Sequence, residues 1–506
     1  VLNKRVIAGL QRRVDGLLTQ HQVPGIAVGI CDASSMLWSA GFGSTRAGGG
    51  APVTAETMFG VQSCSKMYTA TAVLLAVRDG LVDLDVPIVE YLPEMRLNSS
   101  FDARPERLIT LRHLLNHTAG FTHEAPVGSN YAVGRESFGA HCRSIADTWL
   151  RFPVGHHFQY SNLGIDLAGY ILERRSGVPF DRFVRRTVLE PLGLRRTTFN
   201  AAEIRREKDR AIGHASGHAH IPVRVPMVAA GGLYTSVNDA CRFIQFQLGS
   251  GALLAEMHKV PGEDRGYGLG LAVTQAHGVP VRGHGGGGFG FLSDIYWAPD
   301  ASIGVVVLTN STTHPFQWEL AAEIFREVVP HRPARKVTPP PEVAAGPLAG
   351  LAGNYSGSGS DQVTFAVEGD RGFLVRGETR HPVRFLGPLE FMVEHERFRF
   401  RDLDDAGHPA YLEDDGGVRY RNDVPAPAPA AADGPWNRDY AVRVYGVRAA
   451  TARLRKENGV HLFDHWHGGT VRLRRHRPDL YISATGEALD LTRTPPTYAN
   501  IHLHPL

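Results

Sequence analysis

Ser63 and Lys66 stand three residues apart at the head of SCSKMYTATAVLLAV, and in a helix positions i and i+3 share a face. A serine hydroxyl is a poor nucleophile until a neighbouring base takes its proton. A lysine amine becomes such a base when burial lowers its pKa, and the apolar run after Lys66 is expected to bury it. Lys66 is one of six lysines in the chain and the only one with a serine three positions before it. A helix N-terminus would add backbone N–H groups and partial positive charge near Ser63, where an oxyanion develops in acyl transfer. Taken alone, the pair reads equally well as a helix-capping serine and a lysine reaching to solvent, because short motifs recur by chance.

Two further groupings complement it. Tyr160-Ser161-Asn162 precedes a helical stretch, and a phenol beside an amine can relay protons while an amide holds both amine and substrate. His284-Gly285-Gly286 leads a strand whose glycines let its edge approach a bound substrate. Each is weak in isolation: Tyr498-Ala499-Asn500 and His467-Gly468-Gly469 repeat the same patterns near the end of the chain.

In order, Ser63-x-x-Lys66, Tyr160-x-Asn162 and His284-x-Gly286 resemble the three motifs of the serine β-lactamase-like, penicillin-binding superfamily. TMFGVQSCSKMYTA, DGLVDLDVPIVEYLP, ITLRHLLNHTAGF, YSNLGIDLAGYILERRSG, AAGGLYTSVNDA and GHGGGGFGF resemble, in the same order, class C β-lactamase-like serine hydrolases over most of residues 5 to 325. The resemblance implies that Ser63 forms an acyl-enzyme, Lys66 helps deprotonate it, Tyr160 exchanges a proton with the leaving group, and Asn162 positions the amine and the substrate amide. It implies an oxyanion hole from the backbone N–H groups of Ser63 and Gly287. Gly285, Gly286, Gly231 and His117, in the loop His117-Thr118-Ala119-Gly120, are its implied pocket residues.

His284 departs from the lysine many relatives carry there, and a histidine is largely neutral at pH 7. This variant resembles D-aminopeptidases and related amidases and esterases, so a D-stereospecific peptidase or amidase is expected rather than a β-lactamase. The alternatives are a penicillin-binding-type thioesterase that cyclises nonribosomal peptides, an esterase, and a silent peptide-binding receptor with the same fold.

The elements that must position these residues read as an α+β catalytic region, residues 1–332, with an antiparallel sheet flanked by helices plus an all-helical part. The stretch 333–347, with three consecutive prolines, reads as a stiff linker. Residues 348–506 lose helical periodicity and alternate like an antiparallel, lipocalin-like barrel region. They read as one barrel interrupted by an Ala/Pro loop at 424–435, or as two small barrels split there.

The charge of +3 and the absence of a basic run argue against nucleic acid as a partner, leaving a small-molecule or peptide substrate. The longest apolar stretches are too short to span a bilayer. Cys31, Cys64, Cys142 and Cys241 are scattered, like reduced thiols. The cytoplasm is the expected compartment, although an N-terminus at Val1 leaves a processed secreted or periplasmic product open. His113, His117, His156 and His157 lack metal-motif spacing, so no metal and no cofactor are expected. Cys64 reads as a small buried residue rather than a rival nucleophile.

Overall fold

The computed structural model describes residues 2–99, 101–128, 136–215, 223–260, 266–329, 348–357, 362–394, 396–414, 417–421, 435–444, 447–457, 459–465, 470–483, 487–498 and 501–506. The predicted linker 333–347 and residues 424–434 of the Ala/Pro stretch lie outside the described residues.

The first part is built on a seven-stranded antiparallel sheet. Its order is Met36–Gly43, Gly25–Asp32, Ile303–Thr309, Phe291–Ala298, Val279–Gly288, Ala272–Ala276 and Gly266–Tyr267. Strands from both ends of the region therefore meet at its centre, where Val28 pairs with Val307. Side chains alternate between faces. Val28, Ile30, Val305 and Val307 pack against helices Lys4–His21 and Gln317–Val328, whereas Ala27, Cys31, Val306 and Leu308 join the larger core.

That larger core holds the helix Ser65–Arg78, in which Lys66, Met67, Tyr68, Ala70, Ala72 and Val73 are fully buried. Each large apolar side chain there contributes about 1.5–3 kcal/mol on burial. Packed against it is the helix Asn162–Ser176, which Ser161 caps by accepting from Leu163 N and which Gly177 ends at φ 67°. Ser236 caps Val237–Gln247 by accepting from Asp239 N. The Asp239 carboxylate does not complete the capping box; it accepts from Thr197, Arg196 N and Arg242 instead.

The tail forms two separate sheets with separate cores. The first has nine strands between Gly353 and Arg421, and its edge strands, Thr379–Pro382 and Arg384–Gly387, are separated in the chain only by Val383. The sheet must curl until those edges lie side by side. The second is a closed eight-stranded barrel, Arg438–Val444 to Ile501–Pro505, in which Tyr440 pairs with Pro505.

The nine-stranded sheet packs on the segment leading to Tyr160. Phe152, Tyr411, Val418 and Tyr420 form one apolar cluster, and the Tyr420 hydroxyl donates to the Arg151 carbonyl. No described helix is long and apolar enough to cross a membrane.

Candidate active site

Ser63 sits on the single 3₁₀ turn Gln62–Cys64, between the short strand Phe59–Gly60 and the helix that begins at Ser65. It does not cap that helix, for no side chain satisfies the N-terminal N–H groups there. Gln62, immediately before it, has φ 46°, a left-handed conformation unusual outside glycine and frequent where a reactive side chain must be presented.

Strand Val279–Gly288 pins this turn. Cys64 Sγ donates to the His284 carbonyl at 3.0 Å, and Ser293 Oγ donates to the Val61 carbonyl at 2.9 Å. Gly286 has to be glycine, because a Cβ there would lie 2.2 Å from Val61 O. This close approach lays the next residue, Gly287, alongside the turn. Burial pushes the Cys64 thiol up to about 12, so it offers no competing thiolate.

Lys66 is wholly buried, with Nζ 3.0 Å from Ser63 Oγ, 2.8 Å from Asn162 Oδ1 and 3.0 Å from the Ala230 carbonyl. Burial lowers its pKa to about 7 against the opposing charges of Asp166 and Glu124. A neutral amine has two N–H bonds and one lone pair. The two carbonyl oxygens take both donors, which directs the lone pair at the Ser63 hydroxyl.

Tyr160 donates its hydroxyl to Ser63 Oγ at 2.8 Å, and burial holds the phenol well above its ordinary pKa. It is thus a proton donor at rest, and of the pair Lys66 is the group placed to accept a proton. Asn162, the first residue of its helix, is oriented by donating Nδ2 to Glu124 Oε1 at 3.2 Å.

His284 is buried, and burial together with the nearby Lys66 charge lowers its pKa to about 3. Its Nδ1 lies against the Gly285 carbonyl, which can only accept, so the ring proton is on Nδ1. Nε2 then accepts from the Tyr267 hydroxyl at 2.8 Å. Both nitrogens are committed within the protein, and His284 is a neutral wall residue rather than an anion receptor.

His117 lies in the same aromatic cluster, 4.6 Å from both the Tyr160 and Tyr267 ring centroids, and its Nδ1 accepts from Ser161 N. Burial depresses its pKa well below the usual value. Gly231 follows Ala230 and is buried, where a Cβ would make ordinary contacts with Met227 Sδ at 3.7 Å and Gln62 Oε1 at 3.9 Å.

The structure therefore gathers Ser63, Lys66, Tyr160, Asn162 and His284 around one centre and leaves Tyr498 in the tail barrel, while His467 lies outside the described residues. Sequence reasoning missed Glu124, Asp166 and Tyr267. Asp166 carried a signal, an acid four residues after Asn162 in an apolar helix. It accepts from Ala230 N at 2.9 Å and lies 3.1 Å from His141 Nε2. Glu124 and Tyr267 had no local signature. A cleft of about 650 Å³ between Trp149 and barrel residues such as Arg472, Arg474 and Ile482 contains none of the catalytic candidates.

Replacing Asp166 by asparagine is expected to move the acid limb of the pH–rate profile to lower pH. The Asp166 charge favours the Lys66 ammonium, and without it more of the amine is neutral at any given pH. A limb that stays in place would show that Lys66 does not set it.

The model of the family described as Beta-lactamase matches residues 10–328. Penicillin-binding protein 4 of Amycolatopsis lactamdurans is 27% identical over 377 residues, covering 69% of this chain and 97% of that protein. The D-alanyl-D-alanine-carboxypeptidase/endopeptidase AmpH of Escherichia coli is 25% identical over 337 residues, covering 61% of this chain and 85% of its own length. Among solved structures, SurE with D-Leu superposes with a TM-score of 0.61 at 24% identity, covering 82% of this chain and 99% of SurE.

Proposed function

The chain belongs to the beta-lactamase family, whose members here include serine hydrolases, and we propose that its Ser63 centre hydrolyses amides of D-amino acids in the manner of a D-aminopeptidase-like amidase. The observation that carries this reading is the commitment of both His284 nitrogens to Gly285 and Tyr267. The third-motif position then offers no positive charge to a substrate carboxylate. Penicillins and carboxylate-ended peptides lose that contact, whereas amides and esters never needed it. The D-configuration is supported by similar proteins, AmpH, a D-alanyl-D-alanine-carboxypeptidase/endopeptidase, and SurE, whose structure is with D-Leu.

Neutral Lys66 takes the Ser63 proton as Oγ attacks the substrate carbonyl. The backbone N–H groups of Ser63 and Gly287 receive the oxyanion, each worth about 2.7–4 kcal/mol in such sites. The proton travels from Lys66 by way of the Tyr160 hydroxyl to the leaving nitrogen, which departs neutral. The same relay in reverse activates the nucleophile that releases the acyl group. Water gives hydrolysis, and an amine gives a new peptide bond.

A screen of D- and L-aminoacyl amides, p-nitrophenyl esters and linear peptidyl thioesters tests the assignment, with Ser63→Ala as the blank. Ser63-dependent release from D-aminoacyl amides, at least about 10-fold above the L-forms, is expected; a preference of that size needs about 1.4 kcal/mol of differential transition-state binding. Cyclic product from thioesters with no amide hydrolysis would replace the amidase by a macrocyclising thioesterase. Turnover of esters alone would make it an esterase.

A further inference from the structure

We propose that His156, His157 and Asp402 bind one divalent transition-metal cation of the zinc type, fastening the nine-stranded sheet to the segment that carries Tyr160. The site stands apart from the Ser63 centre and does not depend on the activity assigned to it.

The donor atoms of these three residues lie within 4.8 Å of one another. His157 Nε2 is 3.6 Å from Asp402 Oδ2, and the two imidazole rings stand at 75° with centroids 6.1 Å apart. Zinc–ligand bonds of about 2.0–2.1 Å in a tetrahedron place neighbouring donors about 3.4 Å apart. The His157–Asp402 edge is already near that length, and the widest separation must shrink by only about 1.4 Å. Both residues that would move, His156 and Asp402, are exposed.

A second, independent observation points to a ligand. The His157 side chain is only 4% exposed, yet its ring nitrogens are met only by carboxylates at long range, Asp402 Oδ2 at 3.6 Å and Glu413 Oε1 at 3.5 Å, with no well-formed hydrogen bond. A buried imidazole left so is unusual, and buried polar groups normally find a partner in protein, water or an ion.

The surroundings suit a metal ligand. Glu413 Oε1 lies 3.5 Å from His157 Nδ1, the far side of the ring, while Oε2 of the same carboxylate accepts from Arg401 Nε at 2.7 Å. A carboxylate behind a ligating histidine fixes the ring's tautomer and direction. Phe152 and Tyr411 flank the ring, with centroids 5.2 and 5.0 Å away. Two imidazoles and one carboxylate select zinc, cobalt or nickel over magnesium and calcium, which prefer oxygen alone. Exposed His156 provides the entry path, and water would complete the fourth position.

The geometry gives the cation a positioning role. Only Phe158 and Gln159 separate His157 from Tyr160, and Gln159 N donates to the His117 carbonyl at 2.8 Å. Crosslinking His157 to Asp402 would hold that segment against the sheet.

The test uses the full chain stripped with EDTA and titrated with zinc, with bound metal counted by plasma mass spectrometry and cobalt substitution read by visible absorption. One equivalent is expected to disappear, or to weaken at least about 10-fold, in His156→Ala and in Asp402→Asn; two-ligand remnants rarely retain such ions. Zinc should raise the unfolding temperature of the parent protein and not of either variant. His156→Ala removes an exposed side chain, so it reports even if Asp402→Asn fails to fold. A parent protein that takes up no zinc at micromolar concentration, or the same uptake in His156→Ala, would mean that the two carboxylates alone hold His157, and would overturn the site.

Discussion

Ser63→Ala is expected to abolish acyl transfer while leaving the fold intact. Turnover should fall by about 10⁴-fold or more, the scale seen when a nucleophile is removed from a unit that acts together. The mass of the intact protein should show no adduct after a fluorophosphonate or activated-ester probe, under conditions that fully label the parent. The fold should tolerate the change because the Ser63 hydroxyl caps no helix, and its hydrogen bonds go to the Lys66 and Tyr160 side chains rather than to the backbone of the turn. The neighbouring Cys64 cannot substitute, since its thiol is buried and pushed up to about 12. Labelling of the alanine variant at the parental rate would place the nucleophile elsewhere and remove the basis of the enzymatic assignment.

The second large effect is expected at Lys66. In the parent protein kcat/KM should rise with pH through about 7, because the reactive form is the neutral amine and burial sets its pKa there. Lys66→Met should lower kcat/KM by about 10²–10⁴-fold and erase that limb, as loss of a general base does. Two opposing terms decide stability. The variant orphans Asn162 Oδ1 and the Ala230 carbonyl, at about 1–3 kcal/mol each, but no longer buries an amine. The melting temperature is therefore expected to change little compared with the rate. A Lys66→Met enzyme that keeps the parental limb would transfer the base to another group. Tyr160 is a poor candidate, because burial disfavours its phenolate.

Much of the centre was legible in the chain because its chemistry is written at short range. Ser63 and Lys66 meet through helical spacing, and Tyr160 and Asn162 are carried on one loop-to-helix junction. The Ser161 and Ser236 caps and the stop at Gly177 are likewise local features of the helices around them. Local reasoning failed where a residue's role depends on a partner far along the chain. Ser63 looked like a cap, but the helix starts two residues later, and the strand bearing His284 pins the turn. The partners of His284 are nearer, Tyr267 and the adjacent Gly285 carbonyl, but no pattern announced that they engage both ring nitrogens. The acid facing His156 and His157 is Asp402 in the tail, which no local spacing could have placed beside them.

By itself, the sequence determined which groups can react and in what order along the chain they occur: a serine, an amine three residues on, a phenol with an amide, and a histidine among glycines. It also determined the α+β character of the first part and the β character of the tail, since periodicities of 3.6 and 2 are local properties. Only the tertiary structure decided the protonation states. Burial beneath the core, set against Asp166 and Glu124, brings Lys66 to about 7 while keeping Tyr160 protonated and His284 neutral. Strand pairing likewise decided that the tail closes as two sheets, one of them resting on the approach to Tyr160. A pKa and a strand partner are both set by neighbours in space, and those neighbours come from segments tens to hundreds of residues apart, where no local pattern reaches.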